Sequence, residues 1–191
     1  MQLLAMFAPT DKVRFRKDET DNTRSRPGEN LKPLADWLTG GGIHPVDYGE
    51  LVRVNPLTGA KGQTKAGVDS YDAQECIAAF RFQLWEFDAL PLADQCRFWA
   101  GVIRRGALPL VCLVHSGGKS IHGVMRVDAP DAETWARYRA QIVERYAADP
   151  DTRYRLDVQA LNPLIGTRLA GAIRKDTGKI QELLFARFKR D

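Results

Sequence analysis

Cysteine is scarce in this chain. There are three in 191 residues (Cys76, Cys96 and Cys112), and none sits in a C-x-x-C spacing. No zinc knuckle or disulfide framework follows from that distribution, and a reducing, cytoplasmic setting is expected. Long apolar runs are missing too. Nothing approaches the roughly 18 consecutive apolar residues of a membrane span, so no membrane association is expected. The opening Met1–Ala8 is apolar but has no positive leader, which makes a poor signal peptide. Internal repeats and a linker that would split the chain are also lacking. One compact domain with a sizeable core is therefore expected. What is present is ordinary for a globular protein: 44% hydrophobic and 27% charged residues. The net charge of +4 permits a nucleic-acid partner without requiring one.

Hydrophobic periodicity predicts a succession of short elements. Lys12–Arg16 and Gly49–Asn55 alternate as strands, and the polar stretch Asp18–Asn30 reads as a loop. Leu31–Leu38 reads as a helix ending at Gly40–Gly42, and Asp72 as the cap of a short helix carrying Cys76 and Ile77. Phe80–Phe87 reads as a buried strand. Pro91–Arg105 reads as a helix with Leu92, Cys96, Trp99, Val102 and Ile103 on one face. Pro109–Val114 and Ile121–Val127 are two further strands. Asp131–Ala147 is a second long helix with Trp135, Tyr138, Ile142 and Tyr146 on one stripe. Tyr154–Val158 reads as a strand, Asn162–Lys179 as a loop, and Ile180–Phe188 as a last strand. This order predicts an α+β sandwich with helices on one face of a mostly antiparallel sheet.

The densest chemistry lies in Val114–His122, where Gly117-Gly118-Lys119-Ser120 ends like a phosphate-binding P-loop. That motif needs an earlier glycine where this chain has Leu113, and a helix afterwards where this chain has an alternating strand. The glycines are therefore expected to turn a hairpin, a plain structural role. Lys119, Ser120 and His122 add chemistry to it, because Ser120 and His122 fall on the same face of the following strand. Upstream, Glu86 and Asp88 are two residues apart and share a face. Carboxylates that close repel unless a cation lies between them, and oxygen-only ligation suits Mg²⁺ or Mn²⁺. Asp88 alone would read equally as a helix cap. Glu86 interrupts an apolar strand, where an unpaired carboxylate is costly. Asp157 is a further candidate carboxylate. Arg168, Arg174 and Lys179 stud a loop of small residues, either as a solvated basic loop or as a clamp for a triphosphate.

In order, Glu86-x-Asp88, Ser120-x-His122 and Asp157 resemble the three motifs of the archaeo-eukaryotic primase superfamily. The closest likeness is to bacterial, phage and plasmid primase-polymerase domains. Val54-Asn55-Pro56-Leu57-x-Gly59, Glu86–Leu92 with Gln95, Ser116–His122, Asn162-Pro163, Arg168-Leu169-x-Gly171-x-x-Arg174 and Gln181-x-Leu183-Leu184 carry the resemblance from about Asp11 to Phe185. Ala170 departs from it, standing where the family usually has proline. The resemblance implies an RRM-like antiparallel catalytic module (80–191) and a small N-terminal α/β unit (1–79) packed against it. It implies template-directed addition of NTPs or dNTPs on single-stranded DNA in the replication of a phage, plasmid or other mobile element. It also implies two ions, Mg²⁺ or Mn²⁺, held by Glu86, Asp88 and Asp157. Ser116, Lys119, Ser120, His122, Arg168, Arg174 and Lys179 would contact the nucleotide. Glu86, Asp88, His122 and Asp157 would be catalytic. A helicase or helical accessory domain, which family members often carry, is expected to be encoded elsewhere. Two other readings stay open: a non-catalytic single-strand-binding module using exposed aromatics, and a metal-dependent nuclease.

Overall fold

The computed structural model describes residues 1–19, 21, 25–39, 43–106, 108–148 and 154–188. Two four-stranded antiparallel sheets organise them. The first runs in the order β2 (Leu31–Pro33), β1 (Lys12–Arg16), β3 (Leu51–Arg53), β9 (Gly166–Arg168). Alternation along β1 sends Val13 and Phe15 into the core, with Val52 and Val54 beside them. Short helices α2 (Leu34–Thr39) and α3 (Pro45–Tyr48) pack beside this sheet, and α1 (Gln2–Met6) lies against the second. A small hairpin pairs β4 (Gly62–Gln63) with β5 (Asp69–Ser70).

The second sheet runs β10 (Glu182–Ala186), β7 (Leu110–His115), β8 (Ile121–Ala129), β6 (Phe80–Trp85). Helix α4 (Leu92–Arg105) joins β6 to β7, and α5 (Ala132–Val143) follows β8. This is the expected α+β arrangement. Trp85, Leu110, Leu113, Ile121 and Met125 pack with Trp99, Val102 and Ile142 on the helical side. Phe82, Leu84, Cys112 and Val124 turn the other way, into the core shared with the N-terminal unit. The two-residue period sets these faces on β6 and β8, while on β7 a register shift between Leu110 and Cys112 puts Leu110 and Leu113 on the same side. The C-terminal half supplies β9, which pairs with β3 from Leu51↔Arg168 to Arg53↔Gly166, so the N-terminal sheet is completed by residues far along the chain.

Several local expectations are corrected. Leu31–Leu38 is not one helix. The first three residues form β2, because the residue before Pro33 is held extended and helix geometry begins only at Leu34. Its expected stop at Gly40–Gly42 lies outside the described residues. Asp72 caps nothing: Gln74–Cys76 is a single 3₁₀ turn capped by Ala73, and the Asp72 carboxylate pairs with Arg14 and Arg53. On α4 the buried face is Gln95, Trp99 and Val102, while Cys96 is exposed, with Leu92 and Ile103 both 38% exposed. Trp99 sets that rotation by filling the space above Gly123. A Cβ on Gly123 would stand 2.2 Å from the indole. Tyr154–Val158 has no ladder partner. It runs as irregular chain into a turn, tied down by Leu156 N–H to Tyr146 O and Asp157 N–H to Glu86 O, both 2.9 Å. The stretch read as the loop Asn162–Lys179 contains β9.

Candidate functional site

The ladders place the chemistry. β6 and β7 both run antiparallel to β8, so they point the same way and end at one edge of the sheet. Register does the rest: Trp85 pairs with Gly123, which sets Glu86 alongside His122. Glu86 continues the face of Leu84, the face turned toward the N-terminal unit and away from the helices. The site therefore lies between the two sheets.

Its centre is a buried trio. Ser120 Oγ–H donates to Glu86 Oε1 at 2.6 Å, and His122 Nε2 reaches the same oxygen at 3.2 Å. On the far side of the imidazole, Nδ1 lies 3.5 Å from Thr167 Oγ1 of β9, so the ring bridges the two sheets. Burial works against the charge on Glu86, but the hydrogen bond and charge of His122 and the Ser120 hydroxyl outweigh it and draw the carboxyl down to about 2. Asp88 goes the other way. Burial and the negative charge of Glu86 push its carboxyl up, and Lys119, 3.6 Å away, offsets this in part. Asp88 is not a helix cap, since α4 starts from Pro91.

A cavity of about 330 Å³ opens here, walled by Glu86, Asp88, His122, Asp157 and Arg168 together with Arg16, Glu19, Leu51 and Gln159. Asp157 reaches it from the turn after the second helix. Its own N–H is held by Glu86 O, and its Oδ1 accepts from Gln159 N–H at 2.9 Å. Arg168 is buried on β9, paired with Glu50 at 3.1 Å and with Glu19.

The glycine turn forms as a hairpin tip, not a P-loop. Ser116 is fully buried and its Oγ accepts from Gly118 N–H at 3.3 Å and Ser120 N–H at 3.2 Å, shaping the turn from inside. Gly117 needs its left-handed backbone (φ 69°), and a Cβ there would come within 3.1 Å of Lys179 O. The 174–179 segment lies against this turn, with Thr177 Oγ–H donating to Gly117 O at 2.9 Å. Arg174 and Lys179 are thus brought to the back of the glycine turn and do not line the cavity; Arg174 is forked onto Asp176. Lys119 is exposed and pairs with Asp88 at 3.6 Å.

Gln95 ties the two motif regions together. Its Nε2 donates to Phe87 O, Leu90 O and Lys119 O, and its Oε1 accepts from Ile121 N–H at 2.8 Å. Sequence reasoning did not single out Glu50, Thr167, Arg16 or Glu19. Glu50 and Thr167 are buried polar residues beside apolar strand positions, and that was the available signal.

Among the described residues, no three His, Cys, Asp or Glu side chains stand close enough to enclose a metal ion. Glu86, Asp88 and Asp157 share a cavity wall rather than a cage. Their chemistry still fits a hard divalent cation: all donors are oxygens, and the Asp88 carboxyl is pushed up by burial first and then by the nearby charge of Glu86, both of which a cation would offset.

No protein-family model matches this sequence, and no curated protein does. Among solved structures, the chain is similar to the AEP domain of the primase-polymerase (PrimPol) of cyanophage S-2L. The TM-score is 0.57 at 20% identity, covering 96% of this chain and 84% of that one. At that identity the likeness is one of fold. No described helix is long and apolar enough to cross a membrane.

Proposed function

We propose that this chain is a template-directed nucleotidyltransferase, a primase or primer-extending polymerase that adds NTPs or dNTPs on single-stranded DNA. The observation that carries this reading is the shared cavity. Glu86, Asp88, Asp157, His122 and the buried cation Arg168 line one space between the sheets, and Ser120 reaches it through its hydrogen bond to Glu86. An acidic wall beside a basic one is what a triphosphate with divalent ions requires. Glu86, Asp88 and Asp157 would hold Mg²⁺ or Mn²⁺, which would supply electrophilic stabilisation of the reacting phosphate and its leaving group.

The remaining work falls to the chain itself. Ser120 and His122 hold Glu86 ionised and fix its orientation, so its charge needs no reorganisation during reaction. Arg168, immobilised by Glu50, would hold a phosphate by charge-assisted hydrogen bonds. Ser116 shapes the turn that presents Lys119 and Ser120. Positioning and electrostatics are then the main sources of rate, as expected for transfer at a phosphate.

The binding-module reading through exposed aromatics gains no support from the β6 strand. Phe82 and Trp85 of β6 and the following Phe87 are buried, because helices cover one face of the sheet and the N-terminal unit the other. The deciding experiment is incorporation of labelled NTPs and dNTPs on primed and unprimed single strands, with Mg²⁺ and Mn²⁺ compared. Product that disappears in Asp88→Ala supports the reading. Strand shortening in place of extension would assign the site to a nuclease, and activity that survives Asp88→Ala would sink both.

A further inference from the structure

Arg168 has two carboxylates where one would balance its charge. Its side chain is 2% exposed, and its two terminal nitrogens go to different partners. Nη1 reaches Glu50 Oε1 at 3.1 Å. Glu50 is itself 6% exposed and its other oxygen accepts from Lys175 N–H at 2.8 Å, so this contact is fixed in the interior. Nη2 donates to Glu19, which is 64% exposed and stands at the cavity wall. The third donor, Nε, is buried with no hydrogen-bond partner among the described residues. The guanidinium is thus anchored from behind and closed in front by a carboxylate that solvent can reach.

The backbone around Glu19 is held by charge as well. Arg16 Nη2 donates to Glu19 O at 3.0 Å, and the neighbouring Asp18 pairs with Lys175 Nζ at 2.9 Å. Exposed ion pairs of this kind are weak and exchange readily, whereas buried ones with both partners satisfied do not.

We propose that Glu19 is an internal stand-in for substrate phosphate. It occupies the outer edge of Arg168 while the cavity is empty and gives way to the triphosphate, while Glu50 keeps the guanidinium aimed. This rests on the nucleotide reading above and adds a built-in competitor to it. Binding of a phosphate chain then includes breaking one surface ion pair, so Glu19 sets a threshold that weakens capture of short or singly charged anions.

The test is titration calorimetry with inorganic tripolyphosphate, and in parallel with magnesium nucleoside triphosphate, at low salt. Wild type is compared with Glu19→Gln, Glu19→Asp and Glu29→Gln. Glu19→Asp keeps the charge but is one methylene too short for the contact. Glu29→Gln removes an equal charge from an exposed site where it pairs with Arg26. Expected is binding about three- to tenfold tighter for Glu19→Gln, a smaller gain in the same direction for Glu19→Asp, and no change for Glu29→Gln. Wild-type affinity retained in Glu19→Gln overturns the stand-in and leaves the nucleotide reading in place. An equal gain in Glu29→Gln also overturns it, since the effect would then be only the general field. Failure of every variant to bind either probe overturns the phosphate site and the stand-in together.

Discussion

Glu86 and Asp88 are two residues apart, and their surroundings pull them in opposite directions. For Glu86, whose carboxyl lies at about 2 against an ordinary 4.5, the stabilisation is fully present above the ordinary value. It is lost as pH falls from there toward about 2. Glu86→Gln should therefore unfold more easily at pH 7, by about 1–3 kcal/mol, because Ser120 and His122 lose their charged acceptor. The same variant should show a flatter fall of melting temperature between pH ~5 and ~2; thermal scans across pH check both. For Asp88 the sign reverses. A raised carboxyl contributes stability below its ordinary value and loses it as pH rises through its folded value, so at neutral pH the ionised Asp88 is a net burden. Asp88→Asn should raise the melting temperature at pH 7 by about 1–3 °C, a small figure because the side chain is 48% exposed. It should also abolish incorporation. Added Mn²⁺ should raise the melting temperature of the wild type but not of this variant. A residue that is stabilising to remove and necessary for activity is the expected signature of a site arranged for a ligand.

At the scale of elements, α4 and β8 meet at one contact. Trp99 lies against the bare backbone of Gly123, directly behind His122 on the same strand. Gly123→Ala should destabilise the protein by about 2–4 kcal/mol, since the 2.2 Å approach leaves no room for a methyl. Trp99→Phe in that background should recover part of the loss, giving a positive coupling in a double-mutant cycle read by urea unfolding. Without the clash relieved, β8 must shift, and His122 moves with it. Gln95, one turn earlier on the same face of α4, bonds residues just after β6 and at the start of β8, so α4 holds the two motif-bearing segments at a set distance.

For the whole molecule, the shared strand β9 decides cooperativity. It pairs with β3 of the N-terminal sheet, and its Thr167 touches His122 of the other sheet. Near- and far-ultraviolet dichroism should therefore report one coincident urea transition. A fragment of residues 80–191 should fail to fold by itself, because Phe82, Leu84, Cys112 and Val124 would lose the apolar surface that covers them. Two separated transitions, or a folded fragment, would contradict this.

Local patterns carried much of the architecture. Two-residue alternation placed β1 and β8, and continuous apolar runs placed β6 and β7, each within a residue or two; alternation also put Ser120 and His122 on one face before any partner was known. The missing glycine at Leu113 and the strand patterns on both sides of Gly117-Gly118 excluded a P-loop and predicted a hairpin. These features depend only on neighbours along the chain, so the amino-acid order determined them. The tertiary structure decided the rest. Asp72 against two arginines and the rotation of α4 onto Trp99 both turn on contacts that periodicity does not encode. Above all it decided who faces Arg168: its carboxylate partners Glu50 and Glu19 lie 118 and 149 residues away in sequence. A charge has no period, and its partner is chosen by whichever strands the fold brings together.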